Sequence, residues 1–232
     1  MSDQAQGGTM LGRSSTRMRL GAFALGLSAL LFTAFPLVRP YFRLDPRSPD
    51  ETLAAASPVI TSAPWVLSHL IAILAFVLLL YGVLALYARL EEDHRGPSAI
   101  LALVFSFAGI ALIMPMLGVE THILPIIGRL YLEGTTGLAP VVALIYLGPA
   151  TVMFLFGLLL LAVGSICFAV SIWHSSVLPR GAGVLLAIGL ALWFPPFPAF
   201  IRIIDGFVIG VGGVWLAWSI GQRPDAAPDA HR

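Results

Sequence analysis

Apolar residues occur in six long runs, separated by short polar or proline-containing segments. A helix that crosses a membrane needs about 20 predominantly apolar residues, because the hydrocarbon layer is about 30 Å thick. The pattern therefore predicts an all-α polytopic bundle with about six transmembrane spans. The runs cover residues 20–38, 66–86, 99–117, 141–173, 183–197 and 203–220, and Gly118 closes the third run.

Two of the runs differ from the length of a single span. Residues 141–173 are too many for one untilted helix, and Pro149 predicts either a kink or a first segment that lies at the membrane interface. Residues 183–197 form the weakest run, since Pro195 and Pro196 end it abruptly. We nevertheless count both runs as spans.

The segment between the first two runs, from Arg39 to Pro64, is the longest outer loop and contains a helix-start signal. Ser48 is suited to cap a helix, Pro49 suits the first helical position, and Glu51 is placed to bond back to the cap amide. We predict a short helix over residues 49–56 on the outer face.

The remaining segments complete the domain organisation. Residues 123–133 are apolar but contain Pro125 and Arg129, and we interpret them as an interfacial helix or an extension of the third span. Polar, low-complexity ends predict disordered cytoplasmic tails at residues 1–18 and 222–232. Residues 19–221 then form a single transmembrane domain.

Composition supports a membrane protein and excludes several other classes. The 232 residues are 58% hydrophobic and only 11% charged, whereas about a quarter of a soluble domain is charged. A net charge of +1 provides no field for nucleic acid. The single cysteine, Cys167, excludes a disulfide within the chain and a thiolate metal site.

The arginines indicate an orientation in the cell membrane. With the N-terminus inside, eight arginines fall in inner segments and five in outer ones, which favours two cytoplasmic termini. Arg13, Arg17 and Arg19 before the first run resemble a signal peptide. The run is longer than a signal-peptide core, and no small-residue cleavage site follows, so we predict an uncleaved first helix.

Small residues recur at a spacing of four in three of the runs. The pairs are Gly206 with Gly210, Gly183 with Ala187, and Ala22 with Gly26. This spacing lets helix backbones approach closely. Packing within the chain is the first interpretation. A membrane-protein partner or a homo-oligomer that uses these glycine faces is the alternative, and the lipid bilayer is the expected partner of the apolar surface.

Several ionisable residues lie within or next to the ends of the runs. If successive spans cross the membrane in alternate directions, these ends lie on the same side of it. His69 lies four residues after Trp65, which puts both on one helix face. An intramembrane ionisable residue is a functional candidate by default. We predict an outward-facing polar pocket, and its candidate ligand-binding residues are His69, Glu120, His122, Arg202, Asp205 and Trp65.

A structural interpretation exists for each of these residues. His69 can bond to a nearby carbonyl or hydroxyl. Glu120 and His122 are two residues apart, so both face one site only if the helix unwinds near Gly118. Arg202 and Asp205 are three apart and can form an ion pair on one face.

Three functional hypotheses follow, and we favour the first. The chain binds a small ligand, lipid or ion in the polar pocket, without a cofactor and without catalysis. Alternatively it is a metal- or haem-binding membrane enzyme, because imidazole and carboxylate ligands suit zinc or iron. The third hypothesis is a structural or accessory subunit. The candidate metal ligands are His69, His122, Glu120 and Asp205, and the sequence contains no His-Glu-x-x-His or Gly-x-Ser-x-Gly motif.

A set of short motifs adds a resemblance. Trp65-x-x-x-His69-Leu70 precedes a leucine-rich span with Gly82, Glu120 follows the third span, and residues 212–218 read Gly-Gly-Val-Trp-Leu-Ala-Trp. From about residue 20 to residue 220, the chain resembles small six-helix membrane proteins of actinobacterial type. The resemblance implies the six-span topology. No activity is established for that group, so the resemblance assigns no catalytic residue.

Overall fold

The computed structural model of the protein describes residues 3–42, 48–92, 97–193 and 198–222, with side chains from residue 16 onward. All regular structure in these ranges is helical, which confirms the all-α bundle. The helices are α1 (Asp3–Val38), α2 (Pro49–Ile60), α3 (Ala63–Glu91), α4 (Pro97–Gly118), α5 (Leu124–Leu132), α6 (Ala139–Leu147), α7 (Pro149–His174), α8 (Arg180–Leu192) and α9 (Ala199–Gly221), and a π-helical turn (Val119–Ile123) joins α4 to α5.

Five segments of the described chain are long and apolar enough to cross a membrane, which supports an integral membrane protein. They are Thr16–Val38, Ala63–Glu91, Pro97–Leu132, Ala139–His174 and Ala199–Gly221. The predicted fifth run forms α8, whose 13 residues span only about 20 Å. The expected six spans are thus five long helices and one short one. Pro195 and Pro196, predicted to end that run, lie outside the described residues.

The third and fourth runs continue across the positions where the sequence suggests an interruption, in two different ways. Gly118 keeps helical dihedrals (φ −61°, ψ −42°), so the third helix does not close there. It continues through the π-helical turn into α5, which makes residues 123–133 an extension of the span rather than a separate interfacial helix. At Gly148 the chain is extended (φ −90°, ψ −176°), and Pro149 starts α7. The predicted interruption of the fourth run at this proline is confirmed.

The N-terminal part of the chain contains more helix than the sequence suggests. α2 begins at Pro49 as predicted but extends to Ile60, and the Ser48 side chain makes no capping bond. α1 begins at Asp3 and includes most of the segment predicted as a tail. Helix propagates one hydrogen bond at a time from an existing nucleus, here the apolar run, more readily than it starts anew. Of the predicted C-terminal tail, residues 222–232, all but Gln222 lie outside the described residues.

Six helices form a closed ring. α1 packs on α3, α3 on α4, α4 on α7, α7 on α8, α8 on α9, and α9 returns to α1. Glycines permit the closest approaches. A Cβ built on Gly109 of α4 would lie 2.7 Å from the carbonyl oxygen of Gly157 in α7, and one on Gly212 would lie 2.5 Å from the backbone nitrogen of Leu186.

The predicted small-residue motifs also pack inside the chain. Gly206 and Gly210 face α1, where a Cβ on Gly206 would lie 3.1 Å from the Phe32 carbonyl oxygen. Gly183 faces Ile172 of α7. These two glycine faces are therefore occupied by helices of the same chain. A membrane-protein partner or a homo-oligomer stays a prediction.

Two apolar cores stabilise the two parts of the molecule. In the ring, Phe32, Phe76 and Trp193 contact one another edge to face, with ring centroids 4.9–5.5 Å apart. We call α2, α5 and α6 the cap. The cap has its own core, which includes Leu53, Leu124 and the fully buried Trp65 of α3. The cap covers the end of the ring formed by the end of α4 and the start of α3, which we call the polar end.

Candidate functional site

His69 lies on the second turn of α3 and is almost completely buried, with 1% of its surface exposed. Ser62 caps the helix, and its hydroxyl accepts the Trp65 backbone N–H at 3.4 Å. His69 Nδ1 lies 2.7 Å from the Trp65 carbonyl oxygen. A carbonyl only accepts, so Nδ1 carries a proton and donates it. This contact fixes the tautomer and directs Nε2 away from its own helix.

Glu120 lies opposite that nitrogen. Its Oε2 is 3.2 Å from His69 Nε2, an ion-pair distance that lacks the alignment of a full hydrogen bond. The glutamate side chain is 14% exposed. Because Nδ1 already donates elsewhere, a proton must lie between Nε2 and Oε2 for the contact to be attractive. The pair is therefore either imidazolium with carboxylate or imidazole with carboxylic acid.

The π-helical turn orients Glu120 through its backbone as well as its side chain. Leu124 N–H bonds to Val119 five residues back, and Pro125 has no N–H, so no helical partner is left for the Glu120 carbonyl. Trp65 Nε1 takes the place of the missing backbone donor and donates to the Glu120 carbonyl oxygen at 2.9 Å. α3 thus holds Glu120 at two points.

His122 does not join this site. The wider turn keeps the chain helical, so residues two apart still project in different directions. The His122 side chain is exposed, whereas Glu120 faces α3. The sequence-based condition that the helix must unwind for both to share a site is not met, and His122 is excluded from the site.

Tyr146 of α6 is the residue that sequence analysis missed. Its hydroxyl donates to Glu120 Oε1 across a long 3.4 Å contact. The ring also lines an apolar cavity of about 300 Å³ inside the cap, together with Leu53, Ala56, Leu124 and Val142. The one sequence signal for this role is that Tyr146 lies in the fourth run, three residues before Pro149, and it is weak.

Arg39 lies above the same group in an aromatic environment. Its guanidinium is 5.0 Å from the Trp65 ring, 5.2 Å from the Tyr41 ring and 5.9 Å from the Phe35 ring. Such cation–π contacts stabilise a charge that is partly removed from water. Partial burial raises the pKa of Tyr41, and the charges of Arg39 and Arg202 oppose that rise.

An aromatic wall separates His69 from the two charged residues of α9. Phe35 lies 6.0 Å from the His69 ring and 5.3 Å from the Trp193 ring. On the far side, Arg202 donates to the Trp193 carbonyl oxygen at 3.0 Å, with its guanidinium 6.0 Å from the Trp193 ring. The wall divides the predicted single pocket into two regions.

Asp205 lies in the second region. Its carboxylate is buried, with 1% of the residue exposed, and neither oxygen has a hydrogen-bond partner within the described chain. The predicted ion pair with Arg202 is not formed there, because the arginine turns toward Trp193. The two charges remain close enough to interact electrostatically.

The candidate metal ligands do not converge. Among the residues that the structure describes, no three His, Cys, Asp or Glu side chains are placed to hold a metal ion. Glu120 and His69 meet, His122 is exposed, and Asp205 lies beyond the aromatic wall. For the same reason, His69 and His122 do not form a pair of facing haem ligands.

Comparison of the chain with protein-family models, curated proteins and solved structures finds no match. The resemblance to small six-helix membrane proteins stays a prediction. The site is therefore interpreted from its own geometry. That geometry comprises a histidine–glutamate pair at ion-pair distance, a tyrosine that touches it, and an apolar cavity behind the tyrosine.

Proposed function

We propose that this protein binds an amphipathic small molecule, a lipid or a lipid-like compound, at the polar end of its bundle. One observation carries the proposal. Tyr146 both lines the cavity in the cap and bonds to Glu120, so a single ligand can place an apolar chain in the cavity and a polar group at the pair. Ligand sites are commonly apolar pockets with a few converging polar groups.

Helix length supports a position for this site near the membrane surface. Pro97–Leu132 forms one helix of 36 residues, about 54 Å long, against a hydrocarbon layer of about 30 Å. The charged segment before Pro97 indicates that this helix begins near one surface of the membrane. The excess length then falls at α5, so the cap lies at the level of lipid headgroups.

The polar contacts indicate what the ligand must provide. The Tyr146 contact to Glu120 Oε1 is long, so a ligand can replace it with a shorter bond at small cost. Glu120 offers an acceptor at that position when it is ionised. The polar group of the ligand therefore carries a hydrogen-bond donor, such as a hydroxyl.

We further propose that the protein spans the cell membrane several times, with both termini in the cytoplasm. The arginine distribution supports this orientation. α1 then ends outside, which places the cap and the histidine–glutamate pair at the outer surface. No contact of the described residues favours the enzyme or accessory-subunit hypotheses, and neither is proposed.

The test uses purified full-length protein and a long-chain alcohol that carries a diazirine in its alkyl chain. We expect photo-adducts on cap residues such as Leu53 and Val142, and weaker labelling by the corresponding methyl ether, which lacks the donor. Ala56→Phe fills the cavity. Displacing two or three methylene groups costs about 2 kcal/mol, or about thirty-fold in affinity.

A matched control comes from a second apolar groove of similar size. The groove between α7 and α8 has a volume of about 310 Å³ and is lined by Ala191. Ala191→Phe should leave the adducts unchanged. Tyr146→Phe removes the donor that competes for Glu120 Oε1, so it should increase the preference for the alcohol over the ether without removing apolar binding. Equal labelling of both grooves, unaffected by Ala56→Phe, would contradict the proposal.

A further inference from the structure

A second buried ionisable group, Asp205, lies at the polar end but outside the proposed ligand site. It is as buried as His69, yet neither of its carboxylate oxygens has a hydrogen-bond partner within the described chain. Buried polar groups in proteins are almost always paired, so an unpaired one needs a specific explanation.

The helices around Asp205 are closely packed and offer it no donor. The next residue, Gly206, packs against the Phe32 carbonyl of α1, and Ile209, one turn later, packs against Gly189 of α8. α1 brings one hydroxyl to this region, that of Thr33. Its single proton is shared between the carbonyl oxygens of Ala29 and Gly206, at 3.0 and 2.8 Å.

The charged groups near Asp205 come from few elements. α9 itself contributes Arg202, whose guanidinium donates to the Trp193 carbonyl. Beyond the end of α1 lie Arg39 and Tyr41, both within electrostatic range of Arg202. α8 carries only Arg180, at its opposite end. His69 of α3 lies behind the aromatic wall and is paired with Glu120.

An ionised carboxylate in this position would lack the hydration and the hydrogen bonds that stabilise it. The cost of burying such an ion is high enough that the group takes up a proton instead. We propose that Asp205 is a proton-binding site of the bundle, occupied by a proton while Arg202 bonds to Trp193. This proposal is independent of ligand binding in the cap.

Release of the proton has a structural consequence. A carboxylate at Asp205 would attract the guanidinium of Arg202, which is three residues away on the same helix face. Arg202 would then leave the Trp193 carbonyl. Because the Trp193 ring lies against Phe35, and Phe35 against His69, the movement would reach the wall of the first site.

The proton can be detected in the wild-type protein. Dicyclohexylcarbodiimide is apolar and adds to protonated carboxylic acids, giving a stable N-acylurea without a leaving group. Peptide mass spectrometry of the labelled full-length protein should locate an adduct on Asp205 at neutral pH, with less adduct at alkaline pH. Infrared spectroscopy should show the carbonyl stretch of a protonated acid, absent from Asp205→Asn.

Glu120→Gln is the control for the other buried carboxyl group, and it should leave the Asp205 adduct and the acid band in place. Either signal, assigned to Asp205, supports the proposal. Absence of both at neutral pH would overturn it. Loss of the adduct when sodium chloride replaces choline chloride would also overturn it, since the occupant would then be a metal cation.

Discussion

Glu120 and Asp205 are two acids at one end of the same bundle, but their surroundings are opposite. Glu120 is 14% exposed and contacts His69 and Tyr146 through its side chain and Trp65 through its backbone carbonyl. Asp205 is 1% exposed, and its carboxylate has no hydrogen-bond partner in the described chain. The acid with more access to water is the one with more partners.

The difference arises from the backbone on which each acid lies. Glu120 is in a π-helical turn next to a proline, where a carbonyl is free to accept from another helix. Asp205 is in regular helix, beside glycines that bring α1 and α8 close, and the nearby Thr33 hydroxyl is directed to backbone carbonyls instead. Close packing stabilises the contacts between helices, but it gives a buried carboxylate no hydrogen-bond donor.

The largest expected effect is on the paired acid. Glu120→Ala leaves His69 Nε2 buried without a partner, and loss of one member of a buried pair costs about 3 kcal/mol or more. We expect this loss in the free energy of unfolding, measured by denaturant titration in detergent. His122→Ala is the matched control, because His122 is exposed two residues away, and it should change stability by less than about 0.5 kcal/mol.

Replacing both members of the pair sharpens this test. His69→Phe combined with Glu120→Met should be more stable than either single variant, since two apolar groups leave no unpaired charge behind. Purely additive losses would show that the two residues do not form an energetically coupled pair.

A smaller effect, of opposite sign, is expected at the unpaired acid. Asp205→Val removes a buried carboxyl group that makes no hydrogen bond and replaces it with an apolar side chain of similar size. Because no bond is lost, we expect stability to stay equal or to rise by about 1 kcal/mol. A loss of several kcal/mol in the same unfolding assay would mean that Asp205 has a partner in the folded protein.

The smallest effect concerns the glycine before the π-helical turn. Gly118 has helical dihedrals, and a Cβ there would meet no atom within 4 Å. Gly118→Ala should therefore stabilise the protein by about 0.5–1 kcal/mol. Gly109→Ala in the same helix, whose Cβ would meet the Gly157 backbone at 2.7 Å, should instead be destabilising. Destabilisation by Gly118→Ala would mean that the turn needs a glycine after all.

Patterns within one helix could be predicted from the sequence, and contacts between helices could not. The helices could be located because the apolar runs are long enough to cross a bilayer. The four-residue spacing of Trp65 and His69 predicted that their side chains are neighbours on one helix face. The pairing of His69 with Glu120 depends on how α3 and α4 meet in the ring. The contact with Tyr146 depends on the break at Gly148, which lets α6 turn away from the line of α7 and pack in the cap.

Other expectations failed because one local rule was applied alone. Gly118 is predicted to close the third run, but glycine permits unusual dihedrals without requiring them, and the chain stays helical through the π-helical turn into α5. Arg202 and Asp205 have ion-pair spacing, yet the Trp193 carbonyl is another partner for arginine, which spacing along one helix does not reveal.

The π-helical turn also amounts to one extra residue in an otherwise regular helix of 36 residues. Each α-helical residue advances the helix by about 100°. The wide turn takes up this extra residue, because its hydrogen bond spans five residues where a regular turn spans four. Deleting a single residue from Val119–Ile123 would therefore restore a regular helix and leave α5 facing the cap core, with α4 still against α7. The same deletion within the regular helix on either side would rotate everything after it by about 100°. A single-residue deletion is therefore far better tolerated in this turn than in the helices that flank it.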